Sequence, residues 1–141
     1  NAYVDAPAER TWGPFPLVIF SHGNGGLRQQ SMFFTEVLAS HGFVVASPDH
    51  VGNTLYDMLV PGMDESQSMT SSFGYRPEDI TQIADALLGA DEPAPVQDGV
   101  YGMSGHSLGA WTAFRMAGLD DRVAAVVDRS AESPTQGCPM A

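Results

Sequence analysis

Four short apolar segments alternate along this chain with segments whose apolar residues have helical spacing, and this alternation constrains the fold more than any other feature. The apolar segments lie at 17–21, 43–47, 99–104 and 123–127. The helical spacing lies at 31–40, 77–88 and 108–117. Buried strands that alternate with helices are typical of a parallel sheet covered by helices. The sequence therefore predicts an α/β fold, with a mostly parallel sheet and flanking helices.

Residues 51–76, by contrast, have no clear hydrophobic period. This segment is rich in Gly, Ser, Asp and Met, and we expect it to run over the surface. Proline is favoured at the first position of a helix, and the acidic residues Glu78 and Asp79 suit the positive end of the helix dipole. We therefore expect a helix that begins at Pro77 and ends at Gly89.

Length and composition fit one globular domain. The chain has 141 residues, of which 43% are hydrophobic and 16% charged, and no apolar run approaches the roughly 18 residues of a membrane-spanning helix. Its 17 acidic residues outnumber six basic ones, all arginine, which gives a net charge of −11. Such a charge disfavours binding to nucleic acid or to an anionic membrane surface. A single cysteine, Cys138, excludes a disulfide or a cysteine-rich zinc site within these residues.

The two ends of the sequence do not resemble the ends of a complete domain. The chain begins with Asn1 rather than Met and finishes in a polar stretch, 133–141, without a further strand or helix pattern. We expect residues 1–141 to form a single partial domain, truncated at both ends, with its core in residues 13–128. The sequence assigns neither a cellular compartment nor an oligomeric state.

The strongest local motif is GHSLG at 105–109, a G-x-S-x-G pattern centred on Ser107. It follows one apolar segment and precedes a helical one, so it should join a strand to a helix. In that context the serine occupies a sharp turn with strained backbone angles, and the glycines allow the strand and the helix to approach each other. The alternative interpretation is an ordinary glycine-rich turn between a strand and a helix.

A second glycine cluster, HGNGG at 22–26, directly follows the first apolar segment. Backbone N–H groups in such a loop can stabilise the oxyanion that forms during acyl transfer. No Gly-Lys-Ser/Thr follows the cluster, which excludes a P-loop, and the spacing is not G-x-G-x-x-G either. A flexible turn is the alternative.

Further segments accompany these two motifs: PLVIFSHG at 16–23, LASHGFVVA at 38–46, PDHVGNT at 48–54 and RPEDI at 76–80. Together they resemble bacterial α/β-hydrolases, and among these the dienelactone hydrolase and platelet-activating-factor acetylhydrolase-like group. The resemblance covers about residues 13–128. It implies an α/β-hydrolase fold and a catalytic triad of Ser, Asp or Glu, and His in that chain order.

On this resemblance Ser107 is the nucleophile of a serine hydrolase that acts on carboxylic esters. The acid should follow at the tip of the next strand, and Asp128 comes directly after the apolar segment 123–127. Asp120 and Asp121 lie before that strand, where solvated carboxylates are ordinary. We therefore expect Asp128 to be the acid that orients the histidine; its alternative is a solvated loop aspartate.

The resemblance also implies where the oxyanion is held. The residue after the nucleophile, Leu108, should give one backbone N–H, and Asn24 in the glycine cluster should give the other. The supporting residues of the two motifs are His22, Gly23, Gly105, His106 and Gly109. The expected partner is a small-molecule ester, and this chemistry requires no metal and no organic cofactor.

The histidine of the triad should follow the acid, but no histidine follows His106. His22 belongs to the glycine cluster, His41 ends a predicted helix, and His106 lies within the motif itself. His50, beside Asp49, is the one plausible substitute. We expect instead that the base lies outside these 141 residues, and that the 141 residues alone have little or no esterase activity.

Two other functions remain open on the sequence. A non-catalytic α/β module could bind a ligand or a partner protein, although such a module has no need of a strained serine at position 107. A metal site built from His22, Asp49 and His50 is the other alternative, although its spacing matches no known rule for metal ligands.

Overall fold

The structure is a computed structural model that describes residues 5–8, 10–89 and 95–129. Cys138 and the polar stretch at 133–141 lie outside the described residues. The elements are, in chain order, β1 (Phe15–Ser21), α1 (Met32–Ser40), β2 (Val44–Ala46), α2 (Leu55–Met58), α3 (Glu65–Leu88), β3 (Val96–Gly105), α4 (Leu108–Ala117) and β4 (Val123–Asp128).

The strands of the described residues form one parallel sheet in the order β2-β1-β3-β4. The register aligns Ser21 of β1 with Gly105 of β3, and Gly105 with Asp128 of β4. Because parallel strands run in the same direction, these three residues lie side by side at the carboxyl edge of the sheet. Ligands bind beyond this edge in open α/β sheets. The predicted α/β fold with a mostly parallel sheet is confirmed.

Helices cover the two faces of the sheet unequally. Alternate residues of β1 point to opposite faces: Leu17 and Ile19 join the buried core with residues of α3 and α4, whereas Phe20 packs against Phe34 of α1, with ring centroids 6.3 Å apart. The buried core contains Leu17, Ile19, Ile80, Ala84, Val96, Tyr101, Met103, Ala113 and Met116. No residue of α1 is buried. The core therefore lies between the sheet and the pair α3 and α4.

Residues 51–76 are more regular than expected. They contain α2 and the first half of α3, which begins at Glu65 rather than at Pro77. Pro77 therefore lies inside the helix, and the expected helix start is wrong. The expected end is confirmed, because Gly89 caps the helix. β3 also begins earlier than predicted, at Val96.

The first half of α3 was missed because its buried side chains are polar. The buried residues of the helix are Ser68, Ser72, Arg76, Ile80 and Ala84, each four positions after the last, which is the spacing of one helix face. Only the last two are apolar, so the hydrophobic period is visible only after Pro77. The helix start is instead marked by Asp64, whose carboxylate accepts hydrogen bonds from the N–H groups of Ser66 and Gln67.

Candidate functional site

Ser107 lies in a sharp turn between β3, which ends at Gly105, and α4, which begins at Leu108. Its side chain is exposed, and its backbone has φ 53° and ψ −116°. A non-glycine residue at positive φ outside the left-handed helical region is strained, and such strain is common at functional sites. The predicted position of Ser107 between a strand and a helix is confirmed.

The glycines on either side of Ser107 are required by close packing. A Cβ atom on Gly105 would overlap the backbone of Gly109, and a Cβ atom on Gly109 would overlap the carbonyl group of Ser21. The strand, the turn and the helix can therefore approach this closely only with glycine at both positions. The G-x-S-x-G spacing thus has a direct steric cause.

Leu108 is the first residue of α4, so its backbone N–H has no acceptor within the helix. The carbonyl of Ser107 already accepts from the N–H groups of Ala110, at 2.9 Å, and Trp111, at 3.2 Å. The side chain of Leu108 is buried. The turn at Ser107 therefore combines an exposed hydroxyl with a neighbouring helix N-terminus.

The glycine cluster at 22–26 forms a turn directly after β1. The N–H of Gly26 donates to the carbonyl of Gly23 at 3.1 Å, and Gly25 has a φ of 60°, which favours glycine. Asn24 is the second residue of this turn, where the hydrogen bond of the turn does not use its N–H. The Asn24 side chain donates to Glu65 at 2.9 Å and accepts from Asn53 at 2.8 Å.

The end of β1 and this cluster are both connected to the turn at Ser107. The N–H of His106 donates to the carbonyl of Ser21 at 3.2 Å. Gln30 accepts from the N–H of Gly23 at 2.7 Å, and its amide NH₂ lies 3.2 Å from Nδ1 of His106. The Gln30 amide therefore bridges the two motifs, so the structure brings the predicted glycine cluster next to the predicted G-x-S-x-G turn.

His22 is fully buried beneath the cluster, and its tautomer follows from its partners. Its Nε2 accepts from the backbone N–H of His50 at 3.0 Å, so Nδ1 carries the proton and donates to the carbonyl of Gly23 at 2.7 Å. Burial lowers the pKa of His22 to about 4. The imidazole is therefore neutral at pH 7 and serves as a hydrogen-bonding brace of the loop.

His50 is also fully buried, between Ser21 and Asp79. Its Nε2 lies 2.9 Å from Oγ of Ser21, and its Nδ1 lies 2.8 Å from a carboxylate oxygen of Asp79. Burial lowers the pKa of His50, although the hydrogen bond to Asp79 opposes this. Both ring nitrogens are thus engaged by residues other than Ser107, which disfavours His50 as a substitute base.

Asp128 is the last residue of β4, paired in the sheet with Gly105. The N–H of the following residue, Arg129, donates to the carbonyl of Gly105 at 2.9 Å. Asp128 and the turn at Ser107 therefore lie at the same edge of the sheet on neighbouring strands, as the sequence predicted for the pair.

Two other acidic residues near the predicted site, Asp49 and Asp120, have structural partners. Asp49 forms an ion pair with Arg28 at 2.7 Å. Asp120 forms one with Arg122 at 2.8 Å and accepts from the hydroxyl of Tyr101 at 3.0 Å. The Arg122 hydrogen bonds lower the pKa of Asp120 to about 2, against the opposing effect of burial. Both carboxylates thus form ion pairs and hydrogen bonds that stabilise the fold.

Sequence reasoning missed the residues beneath the glycine cluster. The main one is Arg76, fully buried in the middle of α3, whose guanidinium contacts the carbonyls of His22 and Gly23. Asn53, Gln30 and Asp79 belong to the same hydrogen-bond network. Two segments of the sequence pointed to them: RPEDI at 76–80 carries Arg76 and Asp79, and PDHVGNT at 48–54 carries Asn53.

Residues 5–8, 10–89 and 95–129 contain neither a cluster of metal-ligating side chains nor a membrane-spanning helix. In this part of the chain, no three His, Cys, Asp or Glu side chains form a group that could hold a metal ion. The hydrogen bonds of His22 and His50 to other groups are consistent with this finding. None of the helices there combines the length and apolar character needed to cross a bilayer.

The parallel sheet with flanking helices is the fold of α/β-hydrolases, and the comparisons with known proteins agree. A sequence profile described as platelet-activating factor acetylhydrolase, isoform II, matches residues 2–58. The platelet-activating factor acetylhydrolase of Cavia porcellus is 30% identical over 107 residues, which cover 63% of this chain and 24% of that protein. The protein of the same name from Canis lupus familiaris is 27% identical over 110 residues, which cover 63% of this chain and 25% of that protein.

Solved structures give the same class. A ferulic acid esterase from Streptomyces cinnamoneus aligns with a TM-score of 0.65 and 27% identity, over 80% of this chain and 35% of its own. A dienelactone hydrolase from Anabaena variabilis aligns with a TM-score of 0.61 and 22% identity, over 83% of this chain and 52% of its own. At this identity, the likeness shows the fold alone. The predicted resemblance to dienelactone hydrolases and platelet-activating-factor acetylhydrolases is confirmed. The chain spans about a quarter of the length of the curated relatives that it matches.

Proposed function

We propose that this chain carries the nucleophile and the oxyanion-binding groups of a serine hydrolase that cleaves small carboxylic esters. The observation that carries the proposal is Ser107: an exposed serine with φ 53° between a parallel strand and a helix, flanked by glycines that nothing larger can replace. A binding module has no use for such strain. The names of the relatives, acetylhydrolase and esterase, support an ester as the substrate.

In the proposed reaction, Oγ of Ser107 attacks the ester carbonyl carbon while a histidine removes its proton. The carbonyl oxygen becomes an oxyanion, which accepts hydrogen bonds from the N–H groups of Asn24 and Leu108. Collapse of this intermediate breaks the bond to the alcohol, which takes the proton from the imidazolium. Water then hydrolyses the acyl-serine by the same steps, and the carboxylic acid leaves.

We assign Asp128 as the acid that orients this histidine, and we assign the histidine to a part of the protein outside these 141 residues. Support for Asp128 comes from its sheet register with Gly105, which brings it to the edge at which Ser107 lies. On this proposal the 141-residue chain alone turns over esters very slowly. Rapid turnover by that chain, abolished in His50→Ala, would instead make His50 the base.

The test is the turnover of p-nitrophenyl acetate by the complete protein that contains this sequence. Ser107→Ala should lower kcat by about 10⁶-fold, the scale of losing the nucleophile of a triad. Asp128→Asn should lower it by about 10⁴-fold, because the histidine then adopts the wrong tautomer. Asp121→Asn, on the turn before the same strand, is the matched control and should keep wild-type activity. Full activity in Ser107→Ala would refute the assignment.

A further inference from the structure

The guanidinium of Arg76 lies directly beneath the glycine cluster. It reaches there from the middle of α3, with Nη1 2.6 Å from the carbonyl oxygen of His22 and Nη2 3.2 Å from that of Gly23. Nη2 also donates to the side-chain oxygen of Asn53, and Nη1 lies 3.4 Å from Oγ of Ser21. One side chain therefore holds two successive carbonyls of the loop.

Arg76 is an unusual residue for a purely structural role. It is fully buried, and among the described residues all its hydrogen-bond acceptors are neutral oxygens. Burial lowers the pKa of Arg76 to about 10, so the group still carries its charge at pH 7. The Asp79 carboxylate raises the pKa of Arg76 without accepting a hydrogen bond from it in the described residues. A buried charge that donates to no carboxylate is costly, and apolar replacements of buried charged groups are often as stable. An apolar residue could not supply the two guanidinium NH₂ groups that donate to the adjacent carbonyls of His22 and Gly23.

The direction of the Asn24 N–H follows from the position of the Gly23 carbonyl. The two groups belong to one planar trans peptide unit, in which C=O and N–H point in opposite directions. The Gly23 carbonyl is held on the buried side by Arg76 and by Nδ1 of His22. The Asn24 N–H must therefore point away from Arg76.

The preceding peptide unit indicates what lies on that opposite side. Its carbonyl, that of His22, also accepts from Arg76, and its N–H, that of Gly23, donates to Gln30. The amide of Gln30 in turn contacts His106, the residue before Ser107. Because Arg76 holds both carbonyls, the side opposite to the guanidinium is the side of the Ser107 turn.

We propose that Arg76 is a positioning residue that orients the Asn24 N–H toward the oxyanion formed at Ser107. The proposal rests on the function proposed above for Ser107 and Asn24. Arg76 does not touch the substrate; it fixes the peptide that does. Since an oxyanion exists only in the transition state and the tetrahedral intermediate, loss of Arg76 should slow the chemical step and leave substrate binding nearly unchanged.

The experiment compares Arg76→Gln and Arg76→Lys with wild type in the complete protein, with p-nitrophenyl acetate as substrate. Arg76→Gln should lower kcat by about 10- to 100-fold with a change in KM below about threefold, somewhat less than the loss of a whole oxyanion donor. Arg76→Lys keeps the positive charge but lacks the two guanidinium NH₂ donors, so its kcat should lie between those of Arg76→Gln and wild type. The affinity for a trifluoromethyl ketone, which forms an oxyanion on the serine, should fall in parallel with kcat/KM.

The matched control is Arg122→Gln, which also removes an arginine with several hydrogen bonds but lies far along the chain from the loop, in an ion network with Asp85 and Asp120. It should keep wild-type kcat and ketone affinity. Wild-type kcat in folded Arg76→Gln or Arg76→Lys would overturn the proposal, as would equal losses of ketone and substrate affinity. If neither variant folds, Arg76 serves folding alone and the proposal is likewise overturned. Activity that survives Ser107→Ala would refute the proposed function itself, which separates the two failures.

Discussion

Ser21 and Ser107 lie at the same edge of the sheet, at the ends of neighbouring strands, in opposite environments. Ser21 has the hydrogen-bond partners of a catalytic serine, since His50 lies 2.9 Å from its Oγ and Asp79 lies 2.8 Å from the other ring nitrogen. Ser21 and His50 are nevertheless fully buried, so no ester carbonyl can reach them. Ser107 is exposed and held at positive φ. Exposure and backbone geometry, rather than a Ser-His-Asp chain of hydrogen bonds, distinguish the candidate nucleophile.

A larger side chain should destabilise the protein more in the turn at Ser107 than in the middle of α3. Gly109→Ala should lower the free energy of unfolding by about 3 kcal/mol or more, because its Cβ would overlap the carbonyl of Ser21. Gly74→Ala is the matched control, since a Cβ there meets nothing within 4 Å in the middle of α3. It should raise stability by about 0.5–1 kcal/mol. Urea unfolding measures both, and equal effects would contradict the packing argument.

The buried region around Ser21 should make stability depend on pH. Burial lowers the pKa of His22 to about 4 and also lowers that of His50, whereas unfolded histidine titrates near pH 6.5. The unfolded chain therefore binds more protons below about pH 6.5, and stability falls as the pH drops toward 4. Between pH 7 and pH 5 the loss should be on the order of 2 kcal/mol.

Urea unfolding at the two pH values measures this loss. His22→Gln should lose less stability over the same range than wild type, because it removes one of the two groups. Ser107→Ala, which removes no titrating group of the buried region, should keep the wild-type loss. Equal wild-type stability at pH 7 and pH 5 would contradict neutral, buried imidazoles.

Replacement of Ser21 tests whether the buried serine contributes to stability alone. Ser21→Ala removes the hydroxyl beside Nε2 of His50 and leaves that buried nitrogen without this partner, which should cost about 1–3 kcal/mol of stability. Turnover of p-nitrophenyl acetate by the complete protein should stay within a few-fold of wild type. A loss of activity as large as that of Ser107→Ala would mean that the buried serine takes part in the chemistry.

The smallest expected effect concerns backbone strain at Ser107. Ser107→Gly and Ser107→Ala both remove the hydroxyl, but only glycine adopts φ 53° and ψ −116° without strain. Ser107→Gly should therefore be more stable to urea than Ser107→Ala by about 1 kcal/mol. Equal stability of the two variants would show that the turn is not strained.

The sequence predicts the exposed turn better than the buried network for a physical reason. Glycine spacing around Ser107 reflects steric limits that act on neighbours in the chain, so a local motif reveals them. The contact between Arg76 and His22 joins residues from separate elements. Such contacts leave no periodic pattern, and the polar face of Ser68, Ser72 and Arg76 even hid the first half of α3. The expected helix start at Pro77 was wrong for this reason, whereas the parallel sheet followed from its apolar strands.

The most direct test of the central claim is the identity of the serine that reacts with a fluorophosphonate. The complete protein is treated with the probe, digested, and the modified residue is identified by mass spectrometry. We expect modification at Ser107, its loss in Ser107→Ala and its persistence in Ser21→Ala. Modification at Ser21, or labelling that persists in Ser107→Ala, would show that Ser107 is not the nucleophile.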